Sequence, residues 1–377
     1  MLIALAVCLS GNMLRGQNNT SGIDKNIIPE AYTRSVDSMA YYLDAHFRTE
    51  EEKLRALYTW IVANMRYNVY PTFVSNNEVP DDEKEIREAL RAREGVCRQF
   101  SMIFEAVATR LDIPVYIVYG YNKNNGVLMP EPHQWCAAKV GREWFLYDPT
   151  YGMGYVVNYQ FVSAPNMNYC KVKPQDLIRT HMPFDPMWQL LEKPYTYAAF
   201  DQSKEAQAVY RGPAFQYNDS IVAFDNMPRL KQLLTISNRM SNNGPGNRLV
   251  DYYYQLTQSN IKVHRQNEVY NIYKKAVKYQ NQGADSLNNF VWHRRMKFKP
   301  RKDEALIRLW ISTAERSAAM ADSVINLATD IPRQYETAVR NLRNSIIELK
   351  VKVELQKAFM EQYYAAPKSR RDKLFQQ

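Results

Sequence analysis

Cys97, His133 and Asp148 are the residues of this sequence whose types and settings can do chemistry together. A cysteine thiolate is a nucleophile, an imidazole can take and return a proton, and a carboxylate can orient the imidazole. Cys97 stands in Arg93-Glu94-Gly95-Val96-Cys97-Arg98-Gln99-Phe100-Ser101, where Gly95 breaks one helix and another begins at or just before the Cys. A thiol in the first turn of a helix faces unsatisfied amides and the positive end of the dipole, which stabilises a thiolate. The same amides can bind an oxyanion. A Cys that opens an apolar helix is equally an ordinary small core residue, so the weight rests on the other two groups.

His133-Gln134-Trp135-Cys136 and Phe145-Leu146-Tyr147-Asp148 read as the two ends of a β-hairpin turning at Gly141-Arg142. With a two-residue loop the facing positions sum to 283, so Asp148 faces Trp135 and lies diagonal to His133 on one face. Base and orienting carboxylate then meet by parity. A four-residue loop keeps that parity and a three-residue loop destroys it. Plainer roles exist for both: His133 follows Pro132 and suits a loop, and Asp148-Pro149 suits the start of a turn. The same parity puts Cys136 on the opposite face, as a packed core thiol. No Cys-x-x-Cys pattern occurs, and neither a zinc site nor any other metal or cofactor is expected.

The elements that must position these groups follow a pattern of helices, then strands, then helices. Asp37 to His46 reads as a helix. Thr49 with Glu52 makes a capping box before Leu54, Leu57, Tyr58 and Ile61 at helical spacing. A third helix is expected from Glu83 to Arg93, and a fourth from Cys97 with Phe100, Ile103, Phe104, Val107 and Leu111 on its buried face. Strands are expected at Val115 to Tyr121, Gln134 to Val140, Glu143 to Tyr147 and, more weakly, Tyr155 to Phe161. Helices followed by a meander make an α+β domain. Beyond residue 205 the pattern is helical again, broken at Asn242-Asn243-Gly244-Pro245-Gly246. Two long helices are expected at Asp303 to Ala328 and Arg333 to Tyr363, with Asp330 as the N-cap of the second. In the last, Tyr335, Val339, Leu342, Ile346, Leu349 and Val353 form a heptad seam, suited to a helix hairpin or to a dimer contact.

The chain is 377 residues long, 46% hydrophobic and 12% aromatic, which supports two cored domains and excludes a disordered or collagen-like chain. No apolar run reaches the length of a membrane span. The net charge of +10 is uneven. Residues 1–200 hold 20 Lys+Arg against 22 Asp+Glu, and residues 201–377 hold 29 against 17. Such a basic half is a solvated helical face or a surface for an anionic cell-envelope polymer or lipid. Tyr252-Tyr253-Tyr254 and Lys274-Lys275 also fit an amphipathic helix, and with no nucleic-acid motif in the sequence a nucleic-acid partner is not expected. Leu2 to Leu9 is an apolar run followed by small and polar residues, so 1–16 reads as a signal peptide lacking a charged leader, and the protein as secreted or periplasmic. Its removal takes Cys8 and leaves Cys97, Cys136 and Cys170, an odd number. The expected division is 1–16 signal, 17–200 catalytic domain and 205–377 helical domain.

Gly-Val-Cys at a helix start, His133 in His-x-Trp, and Asp148 in Trp-x-Leu-x-Asp-Pro-Thr-Tyr resemble the core of the transglutaminase-like cysteine enzyme superfamily. Leu54 to Ile61 with Met65-Arg66-Tyr67 resembles the helix preceding the nucleophile. His181-Met182-Pro183-Phe184-Asp185-Pro186-Met187-Trp188-Gln189-Leu190-Leu191 resembles the segment after this core in the kyphoscoliosis-peptidase branch. The resemblance spans roughly residues 50–195. It implies a papain-like fold with the Cys helix on an antiparallel sheet, followed here by an all-α C-terminal domain. It also implies Cys97 as nucleophile, His133 as general base and acid, and Asp148 as the orienting group. Gln134 and Cys136 depart from the residues common at their positions, so the mouth of the site is altered. Trp135, Gln134 and Trp144 are the expected substrate-facing residues. The expected reaction is hydrolysis of a peptide or protein amide through a thioester, water being present at about 55 M while an amine must be bound to compete. The alternatives are a protein-glutamine acyl transferase and a non-catalytic envelope-binding scaffold on the same fold.

Overall fold

The computed structural model describes residues 23–70, 81–203 and 214–376. Residues 1–16, expected to be a signal peptide, lie outside them. The chain divides into two compact units, Met1–Thr257 and Gln258–Gln377.

In the first unit, helices precede the sheet. Ser35 caps α1 (Val36–His46) by accepting from the Ser38 amide. Thr49 and Glu52 close the expected capping box at the start of α2 (Glu50–Asn64), whose apolar face, Leu54 to Val62, is buried. A short parallel pair, β1 (Arg66–Tyr67) with β2 (Glu94–Gly95), flanks α3 (Asp82–Ala92) and leads into α4 (Cys97–Arg110). Four strands follow: β3 (Val115–Asn124), β4 (Val127–Leu128), β5 (His133–Val140) and β6 (Glu143–Tyr147). Their order is β4-β3-β5-β6, antiparallel throughout. The β5–β6 register, Cys136 with Tyr147 and Val140 with Glu143, sums to 283, and Gly141 turns the hairpin at φ +62°.

After β6 the chain departs from a simple meander. A short helix, α5 (Pro149–Met153), is followed by a separate two-stranded ribbon, β7 (Gly154–Val157) with β8 (Gln160–Ser163). Asn158 and Tyr159 turn this ribbon at positive φ, so the single strand expected at Tyr155 to Phe161 is two. Past α6 (Pro174–Leu177), β9 (His181–Pro183) returns to the free edge of β3, pairing Asn122 with His181 and Gly120 with Pro183. Gly120 is pinched there: a Cβ would lie 2.3 Å from the Met182 carbonyl oxygen and 2.4 Å from the Trp135 ring.

The two faces of the sheet have different covers. Cys136, Ala138, Phe145 and Tyr147 pack on Phe100, Ile103, Phe104 and Val107 of α4. Val118, Trp135, Ala137, Trp144 and Leu146 pack in a second core with Met182 and Phe184. That second core extends past residue 205. Beyond α7 (Tyr197–Asp201), it takes Ile221 and Phe224 from α8 (Tyr217–Asp225), Ile236 and Met240 from α9 (Arg229–Asn243), and Val250 from the start of α10 (Arg248–Arg295). The first unit therefore ends at Thr257, within α10, and not at the expected boundary near 205. Helices that look like a separate domain by pattern are the cover of one face of the sheet.

The second unit is helical. The remainder of α10 packs with α11 (Glu304–Ile325) and α12 (Arg333–Ala365). Lys350 pairs with Asp322 and Lys357 with Glu315, so α11 and α12 run antiparallel. Of the heptad seam, Val339, Leu342, Ile346, Leu349 and Val353 are buried within one chain, and Tyr335 at its start is only half-buried. Asp330 is not the N-cap: it lies at φ 47°, and Pro332 takes that place with no side-chain hydrogen bond.

A chain ending at Thr257 is expected to stay soluble with its sheet packed, whereas one ending at Ser203 exposes the Val118–Trp135 face and aggregates. Soluble yield and near-ultraviolet circular dichroism check this; equal behaviour of the two truncations contradicts the shared core.

Candidate active site

Asp148 is the first residue after β6 and the N-cap of α5. Its Oδ1 accepts from the amides of Thr150 at 2.9 Å and Tyr151 at 3.2 Å. Its Oδ2 accepts from His133 Nε2 at 2.7 Å and from His181 Nε2 at 3.0 Å. The carboxylate is 0% exposed. Burial alone would raise its pKa, yet the charge and hydrogen bond of His133 and the hydrogen bond of His181 hold it well below the ordinary carboxylate range. A buried charge left uncompensated costs about 3–5 kcal/mol, so the four donors are what permit the anion.

His133 opens β5 and is also buried. Desolvation would lower its pKa, but Asp148 and a hydrogen bond with the Cys97 side chain push it up to about 10. Trp135 stacks on the imidazole with centroids 6.0 Å apart, and Tyr151 meets it edge-on at 5.3 Å.

Cys97 is the first residue of α4, so its amide has no acceptor within the helix. Its turn is anchored from α3: Arg98 pairs with Glu85 and Asp82, and Gln99 donates to Glu85 while accepting from the Val96 amide. Since α4 covers the Cys136 face of β5, the thiol and the imidazole start from opposite sides of the strand. They meet only where each sits at the first position of its element. Hairpin parity accounts for His133 with Asp148, and it says nothing of Cys97.

Of the expected substrate-facing residues, Trp135 backs the imidazole and is 1% exposed. Gln134 lies on the other face of β5, paired with Tyr119, and its buried Oε1 has no hydrogen-bond partner. Trp144 is not brought to the site. It pairs with Lys139, six residues or about 20 Å along β5 from His133. There its indole donates to Asn218 and packs on Tyr116 and Trp188. Parity gave it the right face, and distance along the strand removes it.

Sequence reasoning passed over three residues. His181 arrives on β9, far in sequence from the hairpin; its only signal was its place at the head of the His181–Leu191 segment. Tyr67 lies where Cys97, Glu131 and Asp148 all act on its phenol, which burial keeps protonated. Tyr58 donates to the Asp148 carbonyl at 3.5 Å and the Asn166 carbonyl at 3.3 Å, and the lack of a side chain at Gly152 makes room for its ring. His133, Asp148 and His181 also form a cluster whose ligating atoms lie within 4.8 Å of one another. Those atoms satisfy one another by hydrogen bonds, so the cluster is complete without an ion.

Residues 37–149, which hold all three of Cys97, His133 and Asp148, match the model of the transglutaminase-like superfamily. Over that stretch the chain is similar to transglutaminase-like domains. Kyphoscoliosis peptidase from Homo sapiens and from Mus musculus are each 26% identical to it over 170 residues, 42% of this chain. The chain spans only 24% of the length of those relatives. A crystal structure described as a candidate cysteine protease from Cytophaga hutchinsonii is 24% identical, covering 40% of this chain and 50% of that one, with a TM-score of 0.25. The matched stretch lies in an α+β core with α4 on an antiparallel sheet, followed by an all-helical C-terminal region.

The pairing of His133 with Asp148 makes stability depend on pH. The folded value for His133 lies above its unfolded value of about 6.5, so this stabilisation is complete below that pH and is lost as pH rises through about 10. The folded value for Asp148 lies below its unfolded value of about 3.9, so at the acid end it is lost only as pH falls through the depressed value. The difference in urea midpoint between the wild type and Asp148→Asn should narrow between pH 7 and about 10.5. A difference that stays constant over that range contradicts the ion pair.

Proposed function

We propose that the transglutaminase-like domain is a cysteine hydrolase acting on peptide-like amides through Cys97, His133 and Asp148. The observation that carries this reading is the buried imidazole held between the Cys97 side chain and the Asp148 carboxylate. His133 takes the Cys97 proton as the sulfur meets the substrate. The thiolate attacks the amide carbonyl, and the Cys97 amide stabilises the oxyanion that forms. His133 then donates its proton to the departing amine, leaving a thioester on Cys97. His133 next takes a proton from water, whose oxygen attacks the thioester and releases the acid and the thiol. Asp148 keeps the ring aligned throughout. Export through residues 1–16, and an anionic envelope surface as the partner of the basic C-terminal half, belong to the same proposal on the strength of the sequence pattern.

A specific observation favours acyl transfer as the second reading. Glu131, two residues before His133, acts on the same Tyr67 phenol as Cys97. Its buried Oε2 has no hydrogen-bond partner, and burial raises its carboxyl pKa. A carboxylate so placed is suited to hold the ammonium of an acceptor amine.

Offering a library of peptide amides together with a labelled primary amine separates the readings. Cys97-dependent release of free acid that outpaces amine incorporation is expected, with Cys97→Ala lowering both by at least about 10³-fold. Incorporation that dominates and falls in Glu131→Gln establishes the transferase instead, and neither product across the library favours the scaffold. With iodoacetamide at pH 7, Cys97 should label first. Burial pushes Cys170 up to about 12 and raises Cys136 as well, so equal labelling at the three positions contradicts the assignment of the nucleophile.

A further inference from the structure

The Asp148 carboxylate oxygen that faces His133 carries a second imidazole that the three-residue mechanism does not use. His181 Nε2 reaches that same Oδ2 at 3.0 Å. Its other nitrogen, Nδ1, lies 2.8 Å from the Thr180 hydroxyl. The ring is 2% exposed and is walled by Trp135, Tyr151 and Tyr169 with centroids 5.2 to 6.1 Å away. It comes from β9, whose pairing with β3 places His181 beside Asn122. Asn122 in turn donates to the Tyr151 hydroxyl at 2.8 Å.

We propose that His181 is a positioning residue for this site, holding Asp148 ionised and aligned so that its Oδ2 serves His133. The assignment rests on the Cys97–His133–Asp148 reading. The Thr180 hydroxyl lies 2.8 Å from Nδ1 and 3.3 Å from the Leu177 carbonyl; with its proton given to the nearer acceptor, the ring is neutral and presents Nε2–H to the carboxylate. Burial, which lowers its pKa, keeps it in that state while His133 is the cation. Two imidazoles on one oxygen therefore divide the work. His133 exchanges its proton with Cys97, and His181 keeps the acceptor fixed and charged when that proton leaves.

Removing the His181 donor takes away one of the interactions that depress Asp148. The carboxylate then protonates at a higher pH, and its hold on His133 is lost earlier as pH falls. Other groups that face Asp148 are silent between pH 5 and 8. Tyr58 from α2, Tyr67 from β1 and Tyr151 from α5 are held protonated by burial, as is Tyr169, pushed up to about 12. Cys136, from the other face of β5, is likewise raised by burial. Glu131 titrates alike in every variant. Cys97, His133 and His181 are left to shape the profile.

The test is the rate of Cys97 carboxymethylation by iodoacetate from pH 4.5 to 8, which needs no substrate. It is measured on the full chain for wild type, His181→Ala, His181→Gln and His133→Ala, with near-ultraviolet circular dichroism confirming the fold. His181→Ala should move the acid limb up by about one pH unit, so that the rate at pH 5 falls about tenfold while that at pH 8 stays within about twofold. His181→Gln, which keeps an N–H near the position of Nε2, should recover the limb to within about threefold at pH 5. A rate that falls equally at every pH, or a Gln variant that matches Ala, marks a packing role and overturns the proposal. If His133→Ala also leaves the profile unchanged, the triad reading itself falls and the role of His181 with it. If His133→Ala abolishes the limb while both His181 variants keep it, the triad stands and His181 is excluded from it.

Discussion

A carboxylate with no exposed surface can remain an anion only if the protein supplies donors for both of its oxygens. Much of the transglutaminase-like domain is organised around doing this for Asp148. The helix that begins at Pro149 gives two amides to Oδ1, the first strand of the hairpin gives His133 to Oδ2, and the returning strand gives His181 to the same atom. Tyr58 rises from the second helix to the Asp148 carbonyl. The charge so stabilised raises the proton affinity of His133, and through it reaches Cys97. Fold and chemistry share this one requirement.

The antiparallel sheet is the frame, and its two faces divide the tasks. One face seats the helix that carries Cys97, with Cys136 buried at the contact and its thiol donating to the Ser101 carbonyl at 3.5 Å. The other is filled by Trp135 and by helices from residues 217–250. A helix start and a strand start can converge from opposite faces because both lie where the chain leaves the sheet, and there a side chain is no longer confined to one side. Gly120 sharpens this arrangement. It lets β9 and the Trp135 ring approach closer than any side chain would permit, and that approach brings the His181 strand onto the edge of β3.

The reach of the sequence ended at identifiable places. Thr49 with Glu52, the Cys97 helix, the Gly141-Arg142 hairpin and the Val339–Val353 seam were legible because each rests on periodicity or local hydrogen bonding within a few residues. His133 and Asp148 belonged to the same class, since a two-residue turn dictates register and register dictates face. Trp144 shows the limit of that logic: parity names a face and leaves position along it to the packing, which here sets Trp144 against Tyr116 and Trp188. The boundary near 205 failed for a related reason. Helical pattern shows which residues are apolar and is silent on which core they enter, so α8 and α9 resembled the helices that follow them.

What the sequence determined by itself was the set of local elements, the transglutaminase-like pattern of Cys97, His133 and Asp148, and the pairing of the last two across one hairpin. Tertiary structure alone decided the convergence of Cys97 on His133 from the far side of β5, the closure of the sheet by β9, and the second imidazole on Asp148. These are contacts between residues 33 to 63 positions apart, and no hydrogen bond within a single element specifies them. They are set by where the apolar faces are buried and by the need of one buried anion for donors, and both are properties of the folded chain as a whole.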